Sequence, residues 1–422
     1  MQTHYPVIIV GGGQSGLSMS YCLKEKGIEH LIFEKHSIAH AWKEKRWDTF
    51  CLVTPNWQCQ LPGYPYNGDD PHGFMQKDAI VDYIKSYAAS FSPPIREGVE
   101  VLRVRQHDDR FELTTTIGLF TADQVVIAAG SYHLPRIPSL SERIPDTIQQ
   151  LHASEYKNPR SLPNHVLVVG TGQSGCQIAE DLHLAGKTVH LSVGSAPRTP
   201  RRYRGKDVVD WLDQMGYYDL SIDDHPQKET VRSKANHYVT GRDGGREIDL
   251  RHFALEGMHL YGRLKTVKGT TIEFENDLKQ NLDRADAVSE SIKKTIDTFI
   301  EKNQIGAPIE PPYHPVWEPV EESGVLDCQK IEAIVWCTGY RSNFQWVEVP
   351  VFDGKGYPGH ERGVTPIWGF YFLGLPWLYT WGSGRFSGIA RDAKYLADYI
   401  AARKRVSQDS AWSVVNEFLL GS

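Results

Sequence analysis

Residues 7–16 read VIIVGGGQSG, and residues 31–34 read LIFE. The first stretch is an apolar, β-branched run that enters glycines spaced G-x-G-x-x-G, and a helical pattern follows it. This order predicts a strand, a tight turn and a helix whose N-terminal amides face a pyrophosphate. Glu34 ends the second strand 18 residues after Gly16, where it can accept hydrogen bonds from a ribose. The stretch therefore predicts a dinucleotide site; a glycine turn in an ordinary α/β protein is the alternative.

The glycines of this fingerprint have separate tasks, and the whole arrangement occurs twice. Gly11 makes the tight turn, Gly13 lets the backbone approach the pyrophosphate, and Gly16 lets the helix pack on the strand. Residues 166–175 read VLVVGTGQSG, and a helical pattern and a strand at residues 188–193 follow. The glycines of the second copy are Gly170, Gly172 and Gly175. An internal repeat of this unit predicts two nucleotide sites in one chain.

The second copy lacks the acid of the first. The position that matches Glu34 is Val193, and hydroxyl and guanidinium groups surround it in the sequence. These groups are Ser192, Ser195, Arg198, Arg201 and Arg202. A hydroxyl with a guanidinium is what a 2′-phosphate requires, so the first site suits FAD or NAD and the second suits NADP. A solvated basic loop is the alternative for these arginines.

The bulk composition is that of an ordinary globular protein of more than one domain. The chain has 422 residues, 40% of them hydrophobic and 23% charged, with a net charge of −6; single cores rarely exceed ~300 residues. This balance predicts no nucleic-acid partner. The six cysteines form neither a C-x-x-C pair nor a metal-ligand cluster, which fits a reducing compartment and predicts no metal site. An immediate first strand and the lack of a long apolar run predict a cytoplasmic protein without a spanning segment.

The repeat predicts an α/β fold with two Rossmann-like dinucleotide-binding domains, the domain of the second site, which suits NADP, being inserted into the domain of the first site, which suits FAD or NAD. We expect the first domain at 1–160 and 326–422 and the second at 161–325, with a helical insertion at about 275–305. Apolar residues recur at three- and four-residue steps across that insertion, so it is interpreted as one amphipathic helix packed on its domain. A lid or a homodimer contact is the alternative.

Two further strands end at Gly130 and Gly339, and the residues around them carry a family resemblance. Residues 125–138 read VVIAAGSYHLPRIP, and residues 334–342 read IVWCTGYRS. With the two fingerprints, these segments resemble the class B flavin-dependent monooxygenases, and residues 200–205 (PRRYRG) resemble their CzcO-like bacterial branch.

The chain departs from that family at one signature. Class B enzymes carry F-x-G-x-x-x-H-x-x-x-(W/Y) before the second fingerprint. His152 and Tyr156 stand at this spacing, but Asp146 and Ile148 replace the phenylalanine and the glycine. Tyrosine at the last position is closer to the N- and S-oxygenating and auxin-forming branches than to the Baeyer–Villiger branch.

The resemblance implies that NADPH reduces FAD and that O₂ then gives a C4a-(hydro)peroxyflavin, which oxygenates a small nitrogen-, sulfur- or carbonyl-containing molecule. The alternatives are a flavin-dependent NADPH oxidase or dehydrogenase without oxygenation, and a redox-sensing flavoprotein without turnover. A flavin disulfide reductase would need two redox cysteines close in sequence, and the nearest pair is Cys51 and Cys59.

The resemblance also implies the site residues. For FAD they are Gly11, Gly13, Gln14, Ser15, Gly16, Glu34, Lys35, Trp42 and Val101, and the strand-end glycines Gly130 and Gly339 join them. For NADP they are Gly170, Gly172, Gln173, Ser174, Gly175, Ser192 and Arg198. Asn56 is the candidate catalytic residue, near the flavin C4a edge. Aromatic stretches at 42–66 and 366–381 are the expected walls of the flavin site, and the helix that begins near Ser387 is expected to direct its amides at the reduced ring.

Overall fold

The computed structural model describes residues 2–320 and 324–402. The strands are β1 (His4–Val10), β2 (His30–Phe33), β3 (Gln60–Leu61), β4 (Tyr64–Pro65), β5 (Ile95–Arg96), β6 (Val101–His107), β7 (Arg110–Thr115), β8 (Gly118–Ile127), β9 (Leu134–Pro135), β10 (Gln149–His152), β11 (His165–Val169), β12 (Thr188–Ser192), β13 (Arg202–Tyr203), β14 (Lys206–Asp207), β15 (His259–Tyr261), β16 (Leu264–Lys268), β17 (Thr271–Phe274), β18 (Val325–Asp327), β19 (Ala333–Trp336), β20 (Tyr340–Arg341) and β21 (Phe370–Phe372). The helices are α1 (Gln14–Glu25), α2 (His40–Glu44), α3 (Lys77–Phe91), α4 (Gln173–Leu184), α5 (Val208–Gln214), α6 (Arg242–Gly245), α7 (Leu250–Leu255), α8 (Leu278–Lys302) and α9 (Ile389–Ala402).

The first sheet has the strand order β5-β2-β1-β8-β7-β6, and β21 also pairs with β8. Strands β2, β1, β8 and β21 are parallel and apolar because both faces of the sheet are covered. Helices α1, α3 and α9 pack on one face. The carboxyl ends of these parallel strands therefore lie at one edge, where α/β proteins bind their ligands.

The second sheet is parallel throughout, in the order β10-β19-β11-β12-β15. Its strand β11 precedes α4 exactly as the repeat predicts, and β12 follows that helix. Two Rossmann-like units are thus confirmed.

The predicted borders at 160/161 and 325/326 cut the second sheet. Strand β10 precedes the first border and β19 follows the second, yet both pair within this sheet, with Leu167 opposite Ile334. An apolar strand buried on both sides shows in its sequence that it is buried, but not which sheet supplies its neighbours. The chain returns to the first sheet at β21, which pairs with β8.

Two short connections run between the sheets, and they pair with each other. Strand β9, which follows Gly130, pairs antiparallel with β20, which follows Gly339. The Arg136 amide donates to the Gly339 carbonyl at 3.0 Å, and the Ser342 hydroxyl donates to the Ser131 carbonyl at 3.1 Å. The two crossings therefore form one joint, and both strand-end glycines lie at it.

The long helix predicted in the insertion is present as α8. Its first half buries Leu278 and Leu282 in the core of the second unit, and its last turns bury Ile296 and Ile300 beside Trp211. It packs on its own unit, as predicted. None of the helices within the described ranges is both long and apolar enough to cross a bilayer.

Asp392 gives α9 a pH-dependent stability. The carboxyl group is fully buried in the first turn, and burial raises its pKa from 3.8 to about 6. The folded protein keeps this proton between about pH 4 and pH 6 while the unfolded chain loses it, so the free energy of unfolding falls as pH rises through that window, by about 3 kcal/mol. We expect Asp392→Asn to remove this decrease in urea unfolding at pH 4.5 and pH 7.5. Asp78→Asn, an exposed acid in the first turn of α3, is the control and should leave it unchanged.

Candidate functional site

The first fingerprint forms an open cradle at the carboxyl end of β1. The Gly11 amide donates to the Phe33 carbonyl at 2.8 Å, and Gly11 has a φ of +109°. A Cβ at Gly11 would lie 2.6 Å from the Ala128 carbonyl oxygen, and one at Gly16 would lie 1.8 Å from the Gly11 oxygen. A Cβ at Gly13, in contrast, would have no heavy atom of the described residues within 4 Å. Turn, open approach and close packing are thus divided among the three glycines.

The second fingerprint repeats this geometry at the end of β11. Gly170 has a φ of +103°, and a Cβ there would lie 2.8 Å from the Cys337 carbonyl oxygen. A Cβ at Gly175 would lie 1.8 Å from the Gly170 oxygen, whereas one at Gly172 would meet open space within the described chain. The two copies therefore match in three dimensions as well as in sequence.

Both cradles suit a phosphate. In the described residues, no side chain caps the N-terminus of α1 or of α4, so their first amides are left for another acceptor. Each helix also places its positive end at the open glycine. Uncapped amides beside a position with free space fit a dinucleotide pyrophosphate at each site.

Glu34 lies beside the first cradle. Its carboxylate accepts the Gly12 amide at 2.6 Å and the His36 amide at 2.9 Å, which fixes its orientation. A carboxylate has further lone pairs for a ribose hydroxyl. Lys35 instead pairs with Glu100 on the surface, and Val101 begins β6.

The segment at 374–386 contacts the first cradle, in part through Gln14. Its side-chain amide donates to the Gly384 carbonyl at 3.1 Å and accepts from the Trp42 indole at 3.2 Å. Trp42 stacks on Phe386 at 5.4 Å. Ser15 lies so near Gly374 that a Cβ on that glycine would meet its hydroxyl at 2.2 Å. Residues far apart in sequence thus surround the first cradle, and with it they form the predicted flavin seat.

Asn56, the candidate catalytic residue, has partners within the chain. It is 4% exposed, and its amide nitrogen donates to the Asp70 carbonyl at 2.9 Å. Its amide oxygen accepts the Met75 amide at 2.7 Å. Both ends of the side chain thus stabilise the loop at 70–75, and a role beside the flavin stays a prediction.

Arg198 and Ser192 also have partners within the chain, and their contact with a 2′-phosphate stays a prediction. Arg198 is 2% exposed and contacts Asp249 at 3.0 Å and Asp286 at 3.2 Å. Although burial opposes it, these carboxylates raise the pKa of Arg198. Ser192 donates to the Gly262 carbonyl and accepts the Leu264 amide, each at 3.0 Å. The sequence showed a cation near the site but not the acids that neutralise it.

A different arginine lies open at this edge. Arg263 follows β15, the strand that pairs with β12, and its side chain is 61% exposed. Asp277 contacts its Nε, while most of the side chain stays exposed to solvent. The sequence signal that could have indicated Arg263 is a cation two residues after the end of β15, the strand beside β12. Of the other predicted contacts, Gln173 donates to the Val239 carbonyl and Ser174 lies in the first turn of α4.

His152 and Tyr156, the two signature residues present in this chain, both have partners in the second unit or at the joint. His152 ends β10, is fully buried, and has Nε2 3.0 Å from the Gly339 carbonyl oxygen and Nδ1 3.0 Å from the Ser154 hydroxyl. Burial lowers the pKa of His152, which favours the neutral ring. Tyr156 donates to Asp181 at 2.7 Å. His152 therefore positions the second crossing, and Tyr156 contacts α4.

The cysteines are unsuited to thiol chemistry. Burial raises the pKa of Cys51 to about 11 and that of Cys59 to about 12, so neither forms a thiolate near neutral pH. The described part of the chain holds no disulfide and no group of side chains arranged to bind a metal.

Comparison with known proteins agrees with this geometry. Residues 8–286 match the pyridine nucleotide-disulphide oxidoreductase family. The chain belongs to this family. An uncharacterized CzcO-like oxidoreductase from Geobacillus kaustophilus is 33% identical over 95% of this chain and 99% of its own length. YUCCA4 of Arabidopsis thaliana, described as a probable indole-3-pyruvate monooxygenase, is 30% identical over 47% of this chain and 49% of its own.

Among solved structures, a flavin-containing monooxygenase from Stenotrophomonas maltophilia has a TM-score of 0.64 at 18% identity, covering 95% of this chain and 99% of that one. At this identity the likeness concerns the fold. Together with the family match, it confirms the class B-like resemblance. The protein is a flavin-dependent oxidoreductase that uses FAD.

Proposed function

We propose that the protein is an NADPH-dependent monooxygenase of a small nitrogen-, sulfur- or carbonyl-containing molecule. The observation that carries the proposal is the pair of open cradles of the same geometry. The crossings from their sheets pair as β9 and β20. One flavin and one nicotinamide can therefore meet at a shared cleft. FAD supplies the chemistry when bound, accepting a hydride from NADPH and then activating O₂.

The chain's own residues bind, orient and exclude water. The amides at the start of α1 and α4 are placed to bind the two pyrophosphates, and Gln14 fastens the first seat to Gly384. Trp42, from the first predicted aromatic wall, stacks on Phe386, which follows the second predicted wall by five residues. Such walls keep water from a reactive oxygen species. Buried thiols argue against a disulfide reductase.

A stopped-flow experiment tests oxygenation. The FAD-loaded protein is reduced with NADPH and mixed with O₂, and absorbance spectra are collected. We expect a transient spectrum that differs from those of reduced and oxidised flavin, and we expect NADPH consumption coupled to an oxygenated product with amines, thioethers or ketones. Direct return to oxidised flavin with one hydrogen peroxide per NADPH would contradict the proposal and favour an NADPH oxidase.

A further inference from the structure

Two arginines near Gln14 have no acidic partner among the described residues. Arg46 and Arg385 are half-buried, and the described groups that act on their charge are phenols rather than carboxylates. Burial lowers the pKa of both guanidiniums. The buried Arg201 and Arg251, by contrast, each contact an aspartate at 2.5 Å. A half-buried guanidinium without a counter-charge keeps N–H donors that an anion can accept from, and the partial loss of water strengthens that attraction.

Arg46 lies near the first cradle. Its guanidinium is 5.3 Å from the Trp42 ring, and Trp42 bonds to Gln14 at the start of α1. The phosphates expected at that helix end can neutralise it. Arg46 therefore needs no substrate to explain it.

Arg385 lies where the flavin seat meets the second unit. The residue before it, Gly384, accepts from Gln14, whereas Arg385 itself donates to the Asn236 side chain at 3.1 Å and to the Trp381 carbonyl. Its guanidinium lies 4.1 Å from the centre of the Trp381 ring. These two bonds leave three of its five N–H donors, enough to hold a carboxylate with two bonds.

The surroundings of Arg385 are aromatic and come from three parts of the chain. The segment at 217–236 packs against the loop at 377–381, where the Ile222 amide donates to the Tyr379 carbonyl at 2.7 Å. The Tyr218 and Trp381 rings are 4.8 Å apart. Tyr132, from the first crossing, is close enough to act on the charge of both arginines. An anion at Arg385 would thus have flat apolar surfaces beside it.

We propose that Arg385 binds the carboxylate of an aromatic or other flat carboxylic acid, which is the substrate of the proposed monooxygenase. The carboxylate supplies the missing counter-charge, and Trp381 and Tyr218 contact the flat part. This deepens the proposed function by naming the substrate class. It concerns binding, so it can be tested apart from oxygenation.

The test is a titration of the FAD-loaded protein, followed by the flavin absorbance and the tryptophan fluorescence. The probes are benzoate, 3-phenylpropionate and phenylpyruvate, each compared with its neutral amide. We expect at least one acid to bind about 10- to 100-fold more tightly than its amide, the range for hydrogen bonds to a charged group. Arg385→Met should abolish this preference and Arg385→Lys should retain part of it. Arg103→Met removes an exposed cation on β6 and should change nothing.

The outcomes separate the roles that Arg385 can have. Equal binding of every acid and its amide by the wild-type protein would overturn the proposal. So would an Arg385→Met protein that keeps the preference but loses FAD or binds NADPH more weakly, because Arg385 would then serve a cofactor. Acid-selective binding without oxygenation would contradict the proposed function while supporting this inference.

Discussion

Gly13→Val is expected to give a folded protein that holds no FAD, and Gly172→Val a protein that holds FAD but is not reduced by NADPH. Both glycines have ordinary extended dihedral angles, with φ of −76° and −64°, and a Cβ at either meets no described atom within 4 Å. Valine therefore fits the backbone but fills the space of a pyrophosphate. Losing two charge-assisted hydrogen bonds from helix amides raises a dissociation constant by about 100-fold or more.

The measurements are flavin content by absorbance, circular dichroism and the rate of flavin reduction by NADPH. Dithionite is the control for Gly172→Val, since it should reduce the bound flavin at the wild-type rate. FAD-stripped wild type is the stability reference for Gly13→Val, because ligand loss itself lowers apparent stability. If Gly172→Val lost FAD and Gly13→Val kept it, the assignment of the two seats would be reversed.

Arg198→Ala is expected to lower the free energy of unfolding by about 3–5 kcal/mol, the cost of removing one partner from a buried ion pair. The substitution leaves the carboxylates of Asp249 and Asp286 buried without their guanidinium, although Arg251 still contacts Asp286 at 2.9 Å. Because Arg198 is 2% exposed and already paired with two aspartates, we expect the preference for NADPH over NADH to stay unchanged among the molecules that remain folded.

Arg263→Ala is the comparison variant for Arg198→Ala. Its exposed side chain contributes little to stability, so unfolding should shift by less than ~1 kcal/mol. If Arg263 faces the 2′-phosphate, KM for NADPH should rise with KM for NADH unchanged. If the Arg198→Ala protein stayed stable and only its KM for NADPH rose, Arg198 would be the residue that binds the 2′-phosphate.

The glycine geometry was predictable because each requirement is local. A positive φ at Gly11 and the 1.8 Å approach at Gly16 follow from a strand that turns directly into a helix. The residues involved are neighbours in sequence, so spacing alone encodes their contacts. The same reasoning predicted the long helix α8 from its apolar period.

The polar side chains were less predictable because their partners come from elsewhere. Arg198 meets aspartates on α8 and before α7, and Asn56 meets backbone at 70–75. Nothing in the sequence near Arg198 or Asn56 indicates these partners. A candidate ligand and a structural brace have the same letter in a sequence and differ only in what surrounds them.

The sequence by itself determined two dinucleotide cradles, their order in the chain and the family, since these depend on contacts within a few residues. The tertiary structure decided which strands belong to which sheet, that Gln14 is fastened to Gly384, and which arginines have acidic partners. Those features are long-range pairings, and burial makes them strong: a charge in the interior is defined by its neighbours in space. Arg385, which has no acid beside it in the described part of the chain, is distinguished from Arg198 only in the folded protein.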